Sequence, residues 1–271
     1  MANLQAVLLE AVRVGYPGLT LGGFLFLLIW EGGRPRVAFA DRRRHVLRNV
    51  GLFVVMVVFA DGVVGGALFG IRARLLDAQS GLLTALDWPL WALVVAGVLA
   101  TDLASYAYHR LSHRIHALWL MHAVHHSDPH LDFTTGLRFH PLDMAAYVAA
   151  VAGILVVLGI PLWVEGVRAL LLNPLSMAQH ANVVWPVWVE RGCRWLLVTP
   201  AMHRVHHSAD APGIDANFGQ VFSFWDRAFG TYRAPAAADP PRIGVPVLAA
   251  DRWQTVGGML ATPWRARSVL P

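Results

Sequence analysis

Residues 142–160 read LDMAAYVAAVAGILVVLGI, a long apolar run interrupted only by Asp143. A run of that length and apolarity favours one form in lipid, a helix, because there every backbone N–H and C=O must bond within its own segment. Residues 14–30, 50–70 and 88–108 have the same character. A fifth run, 162–180, carries Glu165 and Arg168 and is broken by Asn173–Pro174. Composition agrees. Hydrophobic residues make up 56% and charged residues 14% of the 271 positions, whereas soluble domains carry roughly 25% charged residues. The eleven Trp suit a membrane–water belt. The expected fold is an all-α integral membrane protein with four to five transmembrane helices.

Arginine distribution orients those helices. Arg34, Arg36, Arg42, Arg43, Arg44 and Arg48 lie between the first two runs; only Arg72 and Arg74 lie between the second and third. Basic loops face the cytoplasm, so the third run returns there and the 142–180 pair forms a hairpin out and back. This parity sets every histidine cluster on the cytoplasmic side. All basic residues are Arg and the net charge is +5. Absence of Lys reads as the codon bias of a GC-rich genome and points to a bacterial inner membrane. The Arg residues are scattered and no recognition motif accompanies them, which excludes nucleic acid as a partner. One cysteine, Cys193, rules out an internal disulfide or a cysteine-ligated cluster. The N-terminus lacks the basic region of a removable signal.

Directly after the third run comes HRLSHRIHALWLMHAVHH, with six histidines. His109 and His113 stand at i, i+4, one turn apart on one helix face. His122, His125 and His126 form HAVHH, and His203, His206 and His207 repeat that spacing as HRVHH. A given window would match HxxHH by chance roughly once in ten thousand, so two matches are not accidental. Positions i, i+3 and i+4 share a face, whereas adjacent residues diverge by about 100° and can serve two metals. Eight imidazoles exceed one ion's coordination number and predict a dinuclear site. Imidazole suits Fe, Cu, Zn and Ni. Neither HExxH nor a carboxylate-rich ExxH pattern is present. A histidine-rich, carboxylate-poor site at a membrane surface fits oxygen activation better than hydrolysis, although zinc accepts the same ligands.

Other histidines stand singly. His140, in RFHP, and His180, in MAQHAN, read by themselves as hydrogen-bonded structural residues. His116 reads as packing beside the ligands; His45 and His130 read as surface residues. A ligating imidazole needs a partner for its second nitrogen. Asp102, two turns before His109 on the same face, is an acid inside an apolar span and so a candidate. Asp128, Asp215, Asn217 and Asp226 are further candidates, or else turn-formers.

The stretches DLASYAYHRLSH, LWLMHAVHHSDPHLDFTTGLRFHPLD, MAQHANV, TPAMHRVHHS, DANFGQ and FWDRAFGTY together resemble the fatty acid hydroxylase superfamily, in its sterol-desaturase-like branch. The resemblance implies a helical membrane bundle with a cytosolic histidine-rich cap that holds two metals. It implies that His109, His113, His122, His125, His126, His203, His206 and His207 ligate them, and it adds His140 and His180. Some members carry a second His beside the one matching His180; Ser176 and Val184 occupy the corresponding spacings here. Residues 1–100 then form an N-terminal membrane region, 101–235 the catalytic region with the 142–180 hairpin, and 236–271 a tail of turns and extended surface. The expected activity is hydroxylation or desaturation of a sterol or fatty acyl lipid from the bilayer. Two non-haem irons and O2 would carry it out. Electrons would come from a separate cytochrome b5-like or ferredoxin/reductase carrier. A divalent-cation transporter and a zinc-dependent membrane hydrolase are the competing readings.

Overall fold

The computed structural model describes residues 2–60, 81–83, 88–209, 212–235 and 242–270. Residues 61–70 of the second expected span, with Asp61, and the Arg72–Arg74 connector lie outside the described residues, as does Asp210. The described elements are helical: α1 (Ala2–Gly33), α2 (Arg42–Phe59), α3 (Leu90–Ser112), α4 (His116–His126), α5 (Pro141–Leu158), α6 (Leu162–Gln179), α7 (Val187–Cys193), α8 (Pro200–His206), α9 (Phe224–Ala228), α10 (Asp251–Gln254) and α11 (Val256–Arg265). No strand longer than an isolated bridge occurs among the described residues.

Two of these helices, α3 and α5, are long and apolar enough to cross a membrane, and only 28% of each apolar window is buried. α1 adds a shorter apolar stretch, Gly18–Gly33. Leu21, Ile29, Val58, Trp91 and Val157 all point outward. Contiguous apolar faces of this kind suit lipid rather than water. The α5–α6 hairpin turns where the sequence requires it. Gly159 takes the left-handed conformation (φ 67°) that ends α5, and Pro161 starts α6. Val151, Leu155, Ile160, Val164 and Val167 of the hairpin pack into one apolar cluster, and Leu93 and Val94 of α3 close on it. α1 runs along α6.

The elements that carry the histidines are short and tightly joined. α3 ends at Ser112 and α4 begins at His116, so one turn folds His109 and His113 back over His122 and His126. Thr199 caps α8, its hydroxyl accepting from Met202 N, with Pro200 in the first turn. The C-terminal stretch departs from the expected turns and extended surface. α10 and α11 are helical, and α11 packs on α2, on α4 and against α10. Met259 closes a core with Leu52 and Val124, and Leu248, Ala266 and Leu270 close another with Trp119, Leu120 and Ala123. Gly257, Gly258 and Pro263 hide this helix from propensity-based reading, and tertiary burial stabilises it instead.

Candidate metal centre

Nine imidazoles collect into two groups. His109, His113, His122, His126 and His206 form the first; His125, His180, His203 and His207 form the second. Within each group the ligand atoms all lie within 4.8 Å of one another. Each HxxHH box is shared between them. His122 and His126 face the first group while His125 faces the second; His203 and His207 face the second while His206 faces the first. That division follows from helical periodicity, since i and i+4 share a face and their neighbour turns away. The rings of His126 and His207 stack at 4.4 Å and join the two groups.

The donor set fits two divalent cations. Buried Nε2 atoms of His109, His122 and His206 have no partner, yet their Nδ1 atoms are held by Phe218 O at 2.9 Å, Asp143 Oδ2 at 3.0 Å and Ala216 O at 2.8 Å. Protons on Nδ1 leave three Nε2 lone pairs free, within a group whose ligand atoms lie within 4.8 Å of one another. In the second group Nε2 atoms approach each other directly, at 2.8 Å for His180–His203, 3.1 Å for His203–His207 and 3.3 Å for His125–His180. Burial, and then the neighbouring imidazoles, push His113, His125, His126, His203 and His207 well below the ordinary histidine range. Burial takes His206 down to about 3. Neutral imidazole is the form that ligates.

His140 lies apart from both groups. It is the N-cap of α5: its Nδ1 accepts from Leu142 N at 3.1 Å, and its Nε2 faces Leu260 O at 3.2 Å. A side chain spent on capping a helix is turned away from the other imidazoles. His116 is exposed at the start of α4 rather than packed beside the ligands, and His130 is exposed as expected.

The carboxylates act at different places from those the spacing suggested. Asp102 touches no imidazole. Its Oδ2 accepts from Phe222 N (3.2 Å) and Trp225 Nε1 (3.0 Å), so it ties α3 to the 218–226 segment. Asp226 accepts from Phe218 N, Gly219 N and the Thr231 hydroxyl at 2.7–2.9 Å. Gly219 is required there, because a Cβ would stand 2.7 Å from Phe222 O and 2.9 Å from Asp226 Oδ2. Asn217 (φ 57°) donates to Met202 O and Arg233 O. Asn217 and Asp226 thereby fix the loop whose Ala216 and Phe218 carbonyls accept from His206 and His109. Asp215 lies 4.0 Å from His113 Nδ1 and is half exposed. The acid within hydrogen-bond distance of a clustered imidazole was not among the candidates. Buried Asp143 bonds His122 Nδ1 and accepts from the Tyr108 hydroxyl at 2.6 Å. Its signal in the sequence was the one used for Asp102: a lone acid in an apolar helix.

Asp128 also has another partner, His45, and His45 is not a surface residue. Its Nε2 lies 2.8 Å from Asp128 and its Nδ1 3.3 Å from Asp132, with the side chain 10% exposed. Burial opposes the charge, but the two carboxylates outweigh it and raise His45 to about 10. Burial likewise opposes the Asp128 charge, and His45 and Arg138 hold that carboxyl below its ordinary range. Asn49, one turn after His45, donates to Asp128 and Thr134. Buried Arg138 bonds Val124 O, Asn49, Ser127 and Gln254. This network ties α2, α4 and α10 beneath His125 and His126.

A cavity of about 300 Å³ opens against both groups, at His109 and His122 of the first and His125, His180 and His203 of the second. It descends between α3, α5 and α6. Phe53, Leu137, Phe139, Met144 and Met177 supply apolar wall; Ser105, Tyr147, Arg168, Asn173, Ser176 and Gln220 supply polar groups.

The fatty acid hydroxylase family model matches residues 94–231, which contain all nine clustered histidines. An ornithine lipid hydroxylase of Rhizobium tropici is 32% identical over 59% of this chain and 47% of its own length. An alkylglycerol monooxygenase of Danio rerio is 30% identical over 54% of this chain and 30% of its own. A Delta(7)-sterol 5(6)-desaturase of Aspergillus fumigatus is 31% identical over 60% of this chain and 56% of its own. The chain thus spans about half, or less, of the curated relatives it matches. No solved structure matches it. Over half its length, and over the whole of the site, the chain belongs to the fatty acid hydroxylase family.

Proposed function

We propose that this protein is a membrane-bound non-haem di-iron oxygenase that hydroxylates or desaturates a lipid, using O2 and electrons from a separate carrier. The observation that carries the reading is the pair of buried, carboxylate-free imidazole groups opening on one cavity. Relatives named lipid hydroxylase, monooxygenase and sterol desaturase support it. Iron held by these imidazoles would supply the reduction of O2 and the oxidising power for a C–H bond.

The chain's own residues do the rest. Asp143 and the Ala216 and Phe218 carbonyls keep Nδ1 protonated on His122, His206 and His109, so each Nε2 lone pair faces inward. Burial keeps the imidazoles neutral and excludes water from the centre. The cavity brings one carbon of the lipid against the groups, and most of the gain comes from that placement. In the proposed topology four to five spans cross a bacterial inner membrane and the histidines face the cytoplasm, where the Arg-rich 34–48 segment meets the electron donor. The test is metal analysis of the purified protein followed by turnover with lipid, a reductase system and 18O2. Iron near two per chain and O2-dependent product are expected. Activity with zinc alone, or product formed without O2, would overturn the proposal.

A further inference from the structure

Residues 184–196 carry large apolar side chains on the outside of the protein. Val184, Val187, Trp188, Trp195 and Leu196 are all exposed, Trp188 by 78% and Trp195 by 72%. They belong neither to the metal centre nor to the cavity. An apolar shelf of this kind is unfavourable against water.

Two tethers fix its depth. At one end Trp185 packs with Leu27, Leu28 and Trp30, at the inner end of the apolar Gly18–Gly33 stretch of α1. At the other end residues 194–198 are clamped to residues 221–227. Ser223 Oγ and Arg227 Nη2 donate to Arg194 O at 2.7 and 2.8 Å, and Leu197 pairs with Phe222. That second segment is bonded in turn to α3, a helix of membrane-crossing length. Phe222 N and Trp225 Nε1 donate to Asp102 at 3.2 and 3.0 Å, and Phe229 stacks on Tyr106 at 5.3 Å. Asp102 stands two helical turns, ~10 Å, before His109 along α3. The clamp therefore holds the shelf toward the bilayer side of the imidazoles.

The chemistry of the shelf matches that level. Trp favours the membrane–water boundary. Arg191 is exposed three positions after Trp188, on the same helix face. Arg227 lies over the rings of Trp195 at 5.0 Å and Tyr232 at 3.9 Å. The neighbouring acids are engaged internally: Glu190 accepts from the Thr199 hydroxyl, and Asp226 from Phe218 N and Gly219 N. The outward charge is cationic and complements lipid phosphate.

We propose that the surface formed by Val184, Val187, Trp188, Arg191, Trp195 and Leu196 lies in the headgroup layer of the membrane, its apolar side chains against the upper acyl carbons and Arg191 at the lipid phosphates. The histidine-bearing part is then seated on the bilayer along one side, not held clear of it by the spans alone. The proposal rests on the membrane part of the function proposed above and is independent of the oxygenase part.

The experiment uses the full chain in nanodiscs of phosphatidylethanolamine and phosphatidylglycerol. Cys193→Ala removes the lone cysteine. A spin label is then attached at Trp188→Cys or Trp195→Cys, with Ala150→Cys on the exposed side of α5 as the lipid control and Ala249→Cys before α10 as the aqueous control. Collision with O2 relative to collision with a neutral nickel chelate measures immersion in lipid. At 188 and 195 the ratio should exceed the Ala249 value by roughly 3-fold or more, as for interfacial side chains. An aqueous ratio at either position would overturn the proposal. So would low collision with both reagents, the mark of a face covered by a protein partner or a second copy. An aqueous ratio at Ala150 as well would overturn the membrane reading itself. If the cysteine variants do not fold, quenching of intrinsic fluorescence by lipids brominated near the headgroup takes their place. The quenched fraction should fall in Trp188→Phe/Trp195→Phe, and an unchanged fraction would overturn the proposal.

Discussion

Replacing Asp143 with leucine removes the acceptor that orients His122 while keeping the site filled. Two bonds are lost, from His122 Nδ1 at 3.0 Å and from the Tyr108 hydroxyl at 2.6 Å. With no acceptor, His122 is free to place its proton on Nε2, the atom that must ligate. Loss of such a partner costs about 10–100-fold in metal affinity, or ~1.4–2.7 kcal/mol. The cost to folding is a separate quantity: two hydrogen bonds to a buried carboxylate, about 1.5–3 kcal/mol each, within the 5–15 kcal/mol typical of a whole fold. Four imidazoles of the first group do not contact Asp143 directly, so binding there weakens without disappearing. The second group has no contact with Asp143 and should bind as before. The assay is iron titration of metal-free protein against a chelator, with near-ultraviolet circular dichroism as the folding control. One of two binding steps should weaken by the stated factor. Equal weakening of both steps, or no change in either, would refute the argument that Asp143 acts through His122.

Three further outcomes are expected. His140→Asn keeps a capping side chain at the start of α5 and should leave two irons per chain; loss of one would restore His140 as a ligand. His45→Leu leaves Asp128 and Asp132 buried without their shared cation and should destabilise the protein by ~3–5 kcal/mol in thermal unfolding. In the unaltered protein the His45 contribution is complete below about pH 6.5 and fades as pH rises through about 10, because its folded pKa is the raised one. The clustered imidazoles act in the opposite direction. In metal-free protein His206 titrates near 3 when folded and near 6.5 when unfolded, so the unfolded chain binds more protons between those values. Urea midpoints of metal-free protein should therefore fall as pH drops below about 6.5.

Eight of the nine clustered histidines were legible because their spacing is the helix period itself, whereas His180, a lone residue, was reached only through the family resemblance. The i, i+3, i+4 pattern even held the division of each box between two groups, and His125 beside His126 was the visible sign of it. What supports those ligands was not legible. Asp143 meets His122 across 21 positions of chain and a change of helix. Helical-face geometry set Asp102 on the face of His109 but could not say that the 218–226 segment would claim its carboxylate. His45 stands among arginines and reads as surface until α2 turns it, with Asn49, toward Asp128. His140 precedes Pro141, a helix-start signature that agrees with its capping role; the family resemblance pulled it toward the metals. Of the fold, the α5–α6 hairpin was plain from apolar length and Pro161, while α11 was hidden by its own glycines and proline.

The bond from Arg138 to Gln254 has a consequence for how the protein is made. The clustered histidines lie between residues 109 and 207, but the layer under His125 and His126 includes a side chain at 254. During synthesis residues 109–126 leave the ribosome well before residue 254 is available. On the metal-centre proposal, tight metal binding would then follow docking of the C-terminal helices on the rest of the fold. An ion captured before that docking would meet a half-built pocket and would remain free to exchange.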